Sequence, residues 1–240
     1  MRINRISTVF LLGILLTGSI HGDDSDPLVK RIKAHDLGAI YEAGNQGRQD
    51  LIPLLEEIYD GKHGDSPASA SAQCALAKLG NEKHLAAILQ EVLNPSIAPR
   101  YQEEKHDALI NGASDKNADA WATWKIQECA SRKLAYLQDE RTVQYIAPLL
   151  YDIRLVDIGH LTDSPLNGAS AFAVVALSRI IKKDSPVFPR RSCSEEETAV
   201  IWQKWWETHK DYYTKLKPIL PVSAVGTNQV TQPKSSGLYR

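Results

Sequence analysis

The sequence predicts an all-α protein, an α-solenoid of stacked helix pairs with about ten helices. Almost every patterned segment has helical period, and no alternating strand pattern stands out. An Ala-x-x-x-Leu motif recurs three times. Short polar turns carrying stop and cap residues separate the segments.

The first stretch reads as an address. In residues 1–22 (MRINRISTVFLLGILLTGSIHG), Arg2 and Arg5 form a basic start, Val9–Leu16 an apolar run, and Thr17, Gly18, Ser19 and Gly22 a small-residue cleavage region. The apolar run is short for a bilayer crossing and no stop-transfer segment follows, so no stable membrane span is expected after cleavage. A secreted or periplasmic chain is the expectation, with a domain over residues 23–213.

Residues 26–45 are expected to hold one or two short helices. In Asp50–Gly61, Leu51, Leu54, Leu55 and Ile58 share one face, Asp50 can cap, and Pro53 sits in the first turn where its missing N–H costs little. Ser66–Pro67 starts the next helix, with Ala72, Ala75, Leu76 and Leu79 on its face and Gly80 at its end. Asn81 can cap a further helix carrying Leu85, Ile88, Leu89 and Val92. Helical patterns follow over 98–111, 118–137, 140–152, 167–182 and 194–213, with Pro148 predicting a kink in 140–152. Residues 214–240 lack period and read as a flexible tail.

Ala72-Gln-Cys-Ala-Leu76-Ala-Lys-Leu79 aligns with Ala130-Ser-Arg-Lys-Leu134-Ala-Tyr-Leu137 and with Ala173-Val-Val-Ala-Leu177-Ser-Arg-Ile180. The first two copies continue together, through Asn81-Glu82 to Leu85 and Ile88, and through Asp139-Glu140 to Val143 and Ile146. Pro-Leu-Leu also recurs, at Pro53–Leu55 and Pro148–Leu150. Alanine at four-residue spacing keeps a helix slim, while leucine and isoleucine fill the layer between neighbours.

At these residues the chain resembles the HEAT-repeat family, including its short bilin-lyase-type subgroup. Residues 50–93 carry the likeness best, and 130–182 carry it with a longer loop at 153–166. Residues 94–125 depart from the pattern, and the leader and tail fall outside it. The resemblance implies an α-solenoid whose concave face binds proteins. The family has no universal catalytic residues to transfer, and bilin-lyase activity belongs to only some members.

The 240 residues carry a net charge of −1, which excludes a strongly basic nucleic-acid binder. No H-E-x-x-H, G-x-S-x-G, Walker loop, EF-hand loop or G-x-G-x-x-G occurs, and no cofactor is implied. Cys74, Cys129 and Cys193 are widely spaced with no C-x-x-C pair, which disfavours a thiolate metal site. Asp152, Asp157, His160 and Asp163 form the best metal-like group, with Asp157 and His160 as candidate ligands; a solvated inter-helix loop is the plainer reading. His63 and Asp65 read as a turn.

The five tryptophans fall at Trp121/Trp124 and Trp202/Trp205/Trp206. The second group can be a partner- or sugar-binding platform, or the apolar face of a helix that caps an open stack end. Exposed rings would favour the platform and buried rings the cap. The expected function is a non-catalytic exported scaffold for a protein partner. The alternatives are an enzyme or enzyme subunit acting on an envelope substrate, and carbohydrate binding through the tryptophan helix.

Overall fold

A computed structural model of the chain describes residues 25–59, 66–152, 155–156, 166–189 and 192–220. The leader at 1–22, the tail beyond 220, and His63, Asp65, Asp157, His160 and Asp163 lie outside the described residues. The fold is all-α, with ten α-helices among the described residues and one antiparallel ladder of two residues a side, Leu155–Val156 with Leu166–Asn167.

The first four helices are α1 (Pro27–Lys33), α2 (Leu37–Asn45), α3 (Ile52–Tyr59) and α4 (Pro67–Lys78). The Asp26 carboxylate accepts from the Leu28 amide and starts α1, and Asp36 accepts from the Ala39 amide and starts α2. Asp50 falls in a 3-10 turn, Gln49–Leu51, leading into α3. Its carboxylate bonds Arg48, whose guanidinium also reaches Asp26 at 2.9 Å. This cation ties the start of α1 to the connection between α2 and α3. Ser66 caps α4 by accepting from the Ser69 amide, with Pro67 in the first position as its spacing predicts.

Helix α4 ends at Gly80, whose φ of 91° suits glycine, and Asn81 caps α5 (Glu82–Leu93). Helix α6 (Tyr101–Ile110) precedes α7 (Asp115–Leu137), which starts at its Ser114 cap, earlier than the apolar pattern at 118 suggests. A side-chain cap accepting from the Asn117 amide sets that start, so polar residues can occupy the exposed first turn.

The single helix expected over 140–152 is instead α8 (Val143–Ile146) between two 3-10 turns, Glu140–Thr142 and Ala147–Tyr151. Pro148 supplies no amide and crowds the preceding turn, so the chain tightens there rather than bending as one helix. Helices α9 (Ala169–Ile180) and α10 (Glu195–Tyr213) complete the fold. Ser194 and Glu197 form a reciprocal capping box at the start of α10.

Helix α2 lies against α4, α4 against α7 and α7 against α9. The motif residues form these contacts: Ala72, Ala130 and Ala173 are fully buried, as are Leu76, Leu134 and Leu177. Helix α4 buries residues on every side and contributes to two clusters. One is built with α1, α2 and α3, and the other with α5, α7, α8, α9 and α10. A Cβ on Gly44 of α2 would sit 3.1 Å from the Ala75 Cα, so these two backbones meet closely only because both residues are small.

Equivalent turns also touch. Arg141 bonds Asp139 in its own turn at 2.6 Å and reaches Glu82 in the preceding one at 2.7 Å. The Lys78 ammonium donates to the Leu137 carbonyl at 2.8 Å and the Tyr136 carbonyl at 3.3 Å, satisfying the end of α7.

Helix α10 packs on α9, α8 and the 3-10 segment before the ladder. Trp202, Trp205 and Trp206 are buried within the larger cluster at 1%, 6% and 8% exposure. They therefore offer no open ring face, which corrects the platform and sugar-binding expectation for these residues. Trp205 lies parallel to His209 with centroids 4.5 Å apart and donates its indole N–H to the Asp184 carbonyl at 2.6 Å. Burying three large rings at the last helix removes more apolar area from water than any aliphatic set of equal number.

Trp202→Ala is expected to lower the unfolding free energy by about 3–5 kcal/mol, read as a shift of the urea midpoint. The acid limb of stability is expected to depend on Asp26. The Leu28 amide and the Arg48 guanidinium hold its carboxyl below the ordinary 3.8. Its contribution is therefore present above that value and lost as pH falls through the lower folded value. Asp26→Asn should flatten the fall in thermal midpoint on acidification; an unchanged slope would exclude this role.

Candidate functional site

Where α4, α5, α6 and α7 come together they leave a cleft of about 270 Å³. Ala-rich α4 supplies Pro67, Ala70 and Gln73 to it, because small side chains on a slim helix cannot fill the gap. Pro99 and Arg100 reach it from the segment before α6, Glu104 from α6, and Ile126, Cys129 and Lys133 from α7.

Lys133 organises the polar side of the cleft. Its ammonium donates to Glu91 Oε2 at 2.8 Å and to Gln73 Oε1 at 2.9 Å. Only 17% of the Lys133 side chain and 16% of the Glu91 side chain is exposed, so the ion pair is largely withdrawn from water. Such a pair costs desolvation and is held by close geometry and the added amide acceptor. Arg100 and Glu104 form a second pair at 2.8 Å. Opposite charges are thus matched within each of the two pairs.

The Cys129 thiol is half-buried and lines the cleft. Cys74 is buried instead, and burial pushes its thiol up to about 11, which keeps it protonated and unreactive near neutrality. Next to it the Tyr136 hydroxyl donates to the Tyr41 carbonyl, and burial raises the Tyr136 phenol to about 12. These groups pin α2 to α7 and are structural.

Asp152 ends the 3-10 segment at Ala147–Tyr151, and Ser170 donates its amide to the Asp152 carbonyl at 3.1 Å. Among the described residues no group of three or more His, Cys, Asp or Glu side chains is gathered for a metal. No described helix is long and apolar enough to cross a membrane. A second surface feature is the Trp121–Trp124 pair on α7, with centroids 5.7 Å apart and nearly parallel planes. Lys125 Nζ lies 5.2 Å from the Trp121 ring, and Phe172 of α9 meets Trp124 edge-on.

Sequence reading does not single out Gln73, Glu91 or Lys133 as site residues. The only available signal is polar residues interrupting Ala-rich helices, Gln73 within an otherwise small-residue run above all. No family model, curated protein or solved structure matches the chain.

Removing Lys133 alone leaves a largely buried carboxylate with its partner gone. Lys133→Met should therefore destabilise by about 1–3 kcal/mol, and the double variant Lys133→Met/Glu91→Leu by less than the sum of the singles. Urea unfolding of the four proteins measures the coupling. Strict additivity would mean that the pair is energetically idle.

Proposed function

We propose that the chain is an exported, HEAT-like helical scaffold that binds a protein partner without catalysis, with the α4–α7 cleft as a docking point. The observation that carries this reading is the cleft itself, which two matched ion pairs and apolar residues line together. Surfaces that mix apolar contact with paired polar groups in this way suit protein contacts.

The stacked-repeat part of the reading draws support from register. Equivalent motif residues of α4 and α7 are 58 positions apart, as 130 − 72 = 58 and 134 − 76 = 58. Four bonds between the two units span nearly the same interval: 58 and 59 for Lys78 to the end of α7, 60 for Lys133 to Gln73, and 59 for Arg141 to Glu82. Two helix–turn units side by side in parallel, shifted by one repeat, produce this pattern.

Ala70 is half-buried at the cleft, so Ala70→Trp fills the opening. Paired affinity capture from the native envelope fraction, with the wild-type chain and with Ala70→Trp, tests the docking point. A partner retained by the first and lost from the second, at equal thermal midpoint, supports it. The same proteins on both would refute docking at the cleft.

A further inference from the structure

The hydrogen-bonding capacity at the floor of the cleft is only partly used. Gln73 is 5% exposed, and Lys133 occupies its carbonyl oxygen, while its NH2 group meets no acceptor among the described residues. Glu91 gives one oxygen to Lys133, and its other oxygen meets no donor among the described residues. The Lys133 ammonium has three N–H groups, of which these two bonds use two. Gln73 and Glu91 converge on one ammonium, and all three residues line the cleft.

We propose that this cleft recognises an uncharged primary carboxamide, presented as a glutamine or asparagine side chain in an extended segment of the partner polypeptide. The proposal rests on the protein-binding reading above and names the group that the docking point selects. A carboxamide carries an acceptor and a donor on one edge, matching the spare donors of Gln73 and Lys133 and the spare oxygen of Glu91. A backbone peptide group turns the two to opposite sides.

Charge discriminates further. A carboxylate drawn to Lys133 meets Glu91 beside it, and an ammonium drawn to Glu91 meets Lys133. Each would leave water without a net electrostatic return. Pro67, Ala70, Pro99 and Ile126 supply apolar wall for an aliphatic stem. The volume of about 270 Å³ lies below the usual range for small-molecule pockets and suits a side chain rather than a cofactor.

Cys129 lies in the same cleft and reports its occupancy, while Cys193 is outside it and serves as an internal control. The full chain is alkylated with N-ethylmaleimide and modification at each thiol is followed by mass spectrometry. The probes are tripeptides Ala-Xaa-Ala, acetylated and closed as N-methylamides, with Xaa as Gln, Asn, Glu, Lys or Met.

The Gln or Asn peptide is expected to protect Cys129 at about tenfold lower concentration than the Met, Glu or Lys peptides, since unpaired polar groups penalise the others. In Gln73→Leu that preference should disappear with the Cys193 rate unchanged. If this variant does not fold, the wild-type comparison decides alone. Equal or better protection by the Glu or Lys peptide overturns carboxamide selection and leaves peptide docking standing. Propionamide protecting as well as the Gln peptide supports carboxamide selection and overturns its delivery by a partner segment. No protection by any peptide or by propionamide overturns both.

Discussion

Helix α4 has to be buried on nearly every side, and most of the architecture follows from that constraint. It lies against α2, α3, α5 and α7 at once, and nine of its twelve residues are buried. A helix in that position cannot carry large side chains all round without forcing its neighbours apart, so it is mostly alanine and serine, with one cysteine and a single leucine. The same close approach requires Gly44 on α2. Slimness has a thermodynamic consequence as well. Little apolar area is available per residue, so stability has to be gathered from many neighbours and from the hydrogen bonds of its polar side chains.

The polar residues of α4 show how that bonding is met. Ser71 returns its hydroxyl to the Pro67 carbonyl within the helix, and Ser69 reaches the Tyr59 carbonyl at the end of α3. Gln73 has no such internal option, and a lysine from α7 satisfies its carbonyl. Lys133 in turn needs a counter-charge, which Glu91 of α5 supplies. One buried amide therefore binds three helices together, and the gap left by the small residues around it becomes the cleft. The candidate site is a by-product of slim packing, placed where that packing is least able to close.

The buried motif was legible in the sequence because it is local. Ala72, Leu76 and Leu79 repeat at helical spacing, and each equivalent residue in α7 and α9 is buried. Caps at Ser66 and Asn81 were legible for the same reason, since cap and amide lie two or three residues apart. One feature stayed open between two readings and one was misread for want of tertiary information. Helical spacing puts Trp202, Trp205 and Trp206 near one another but does not say whether that side meets solvent or α9. Pro148 was read as a kink, whereas the chain converts to 3-10 geometry around it. The cleft was not legible at all. Lys133 meets partners 60 and 42 residues away, and no local period encodes that meeting.

Two lysine braces fix how α4 and α7 lie. Lys133 of α7 reaches back to Gln73 of α4, and Lys78 of α4 reaches forward to the last carbonyls of α7. The braces advance in the same sense along both helices, five residues on α4 and four on α7, or about 7 Å against about 6 Å of rise. The helices therefore run parallel and nearly without slip. Parallel neighbours align their dipoles unfavourably and gather carbonyl ends at one edge. Lys78 sits at that edge, over the Tyr136 ring and against the α7 carbonyls, although burial pushes its ammonium below the ordinary value. A cation held there against its desolvation cost offsets the repulsion that parallel stacking creates. The brace thus answers a problem raised by the parallel packing of α4 and α7. Gln73 and Lys133 set the same register further back along both helices.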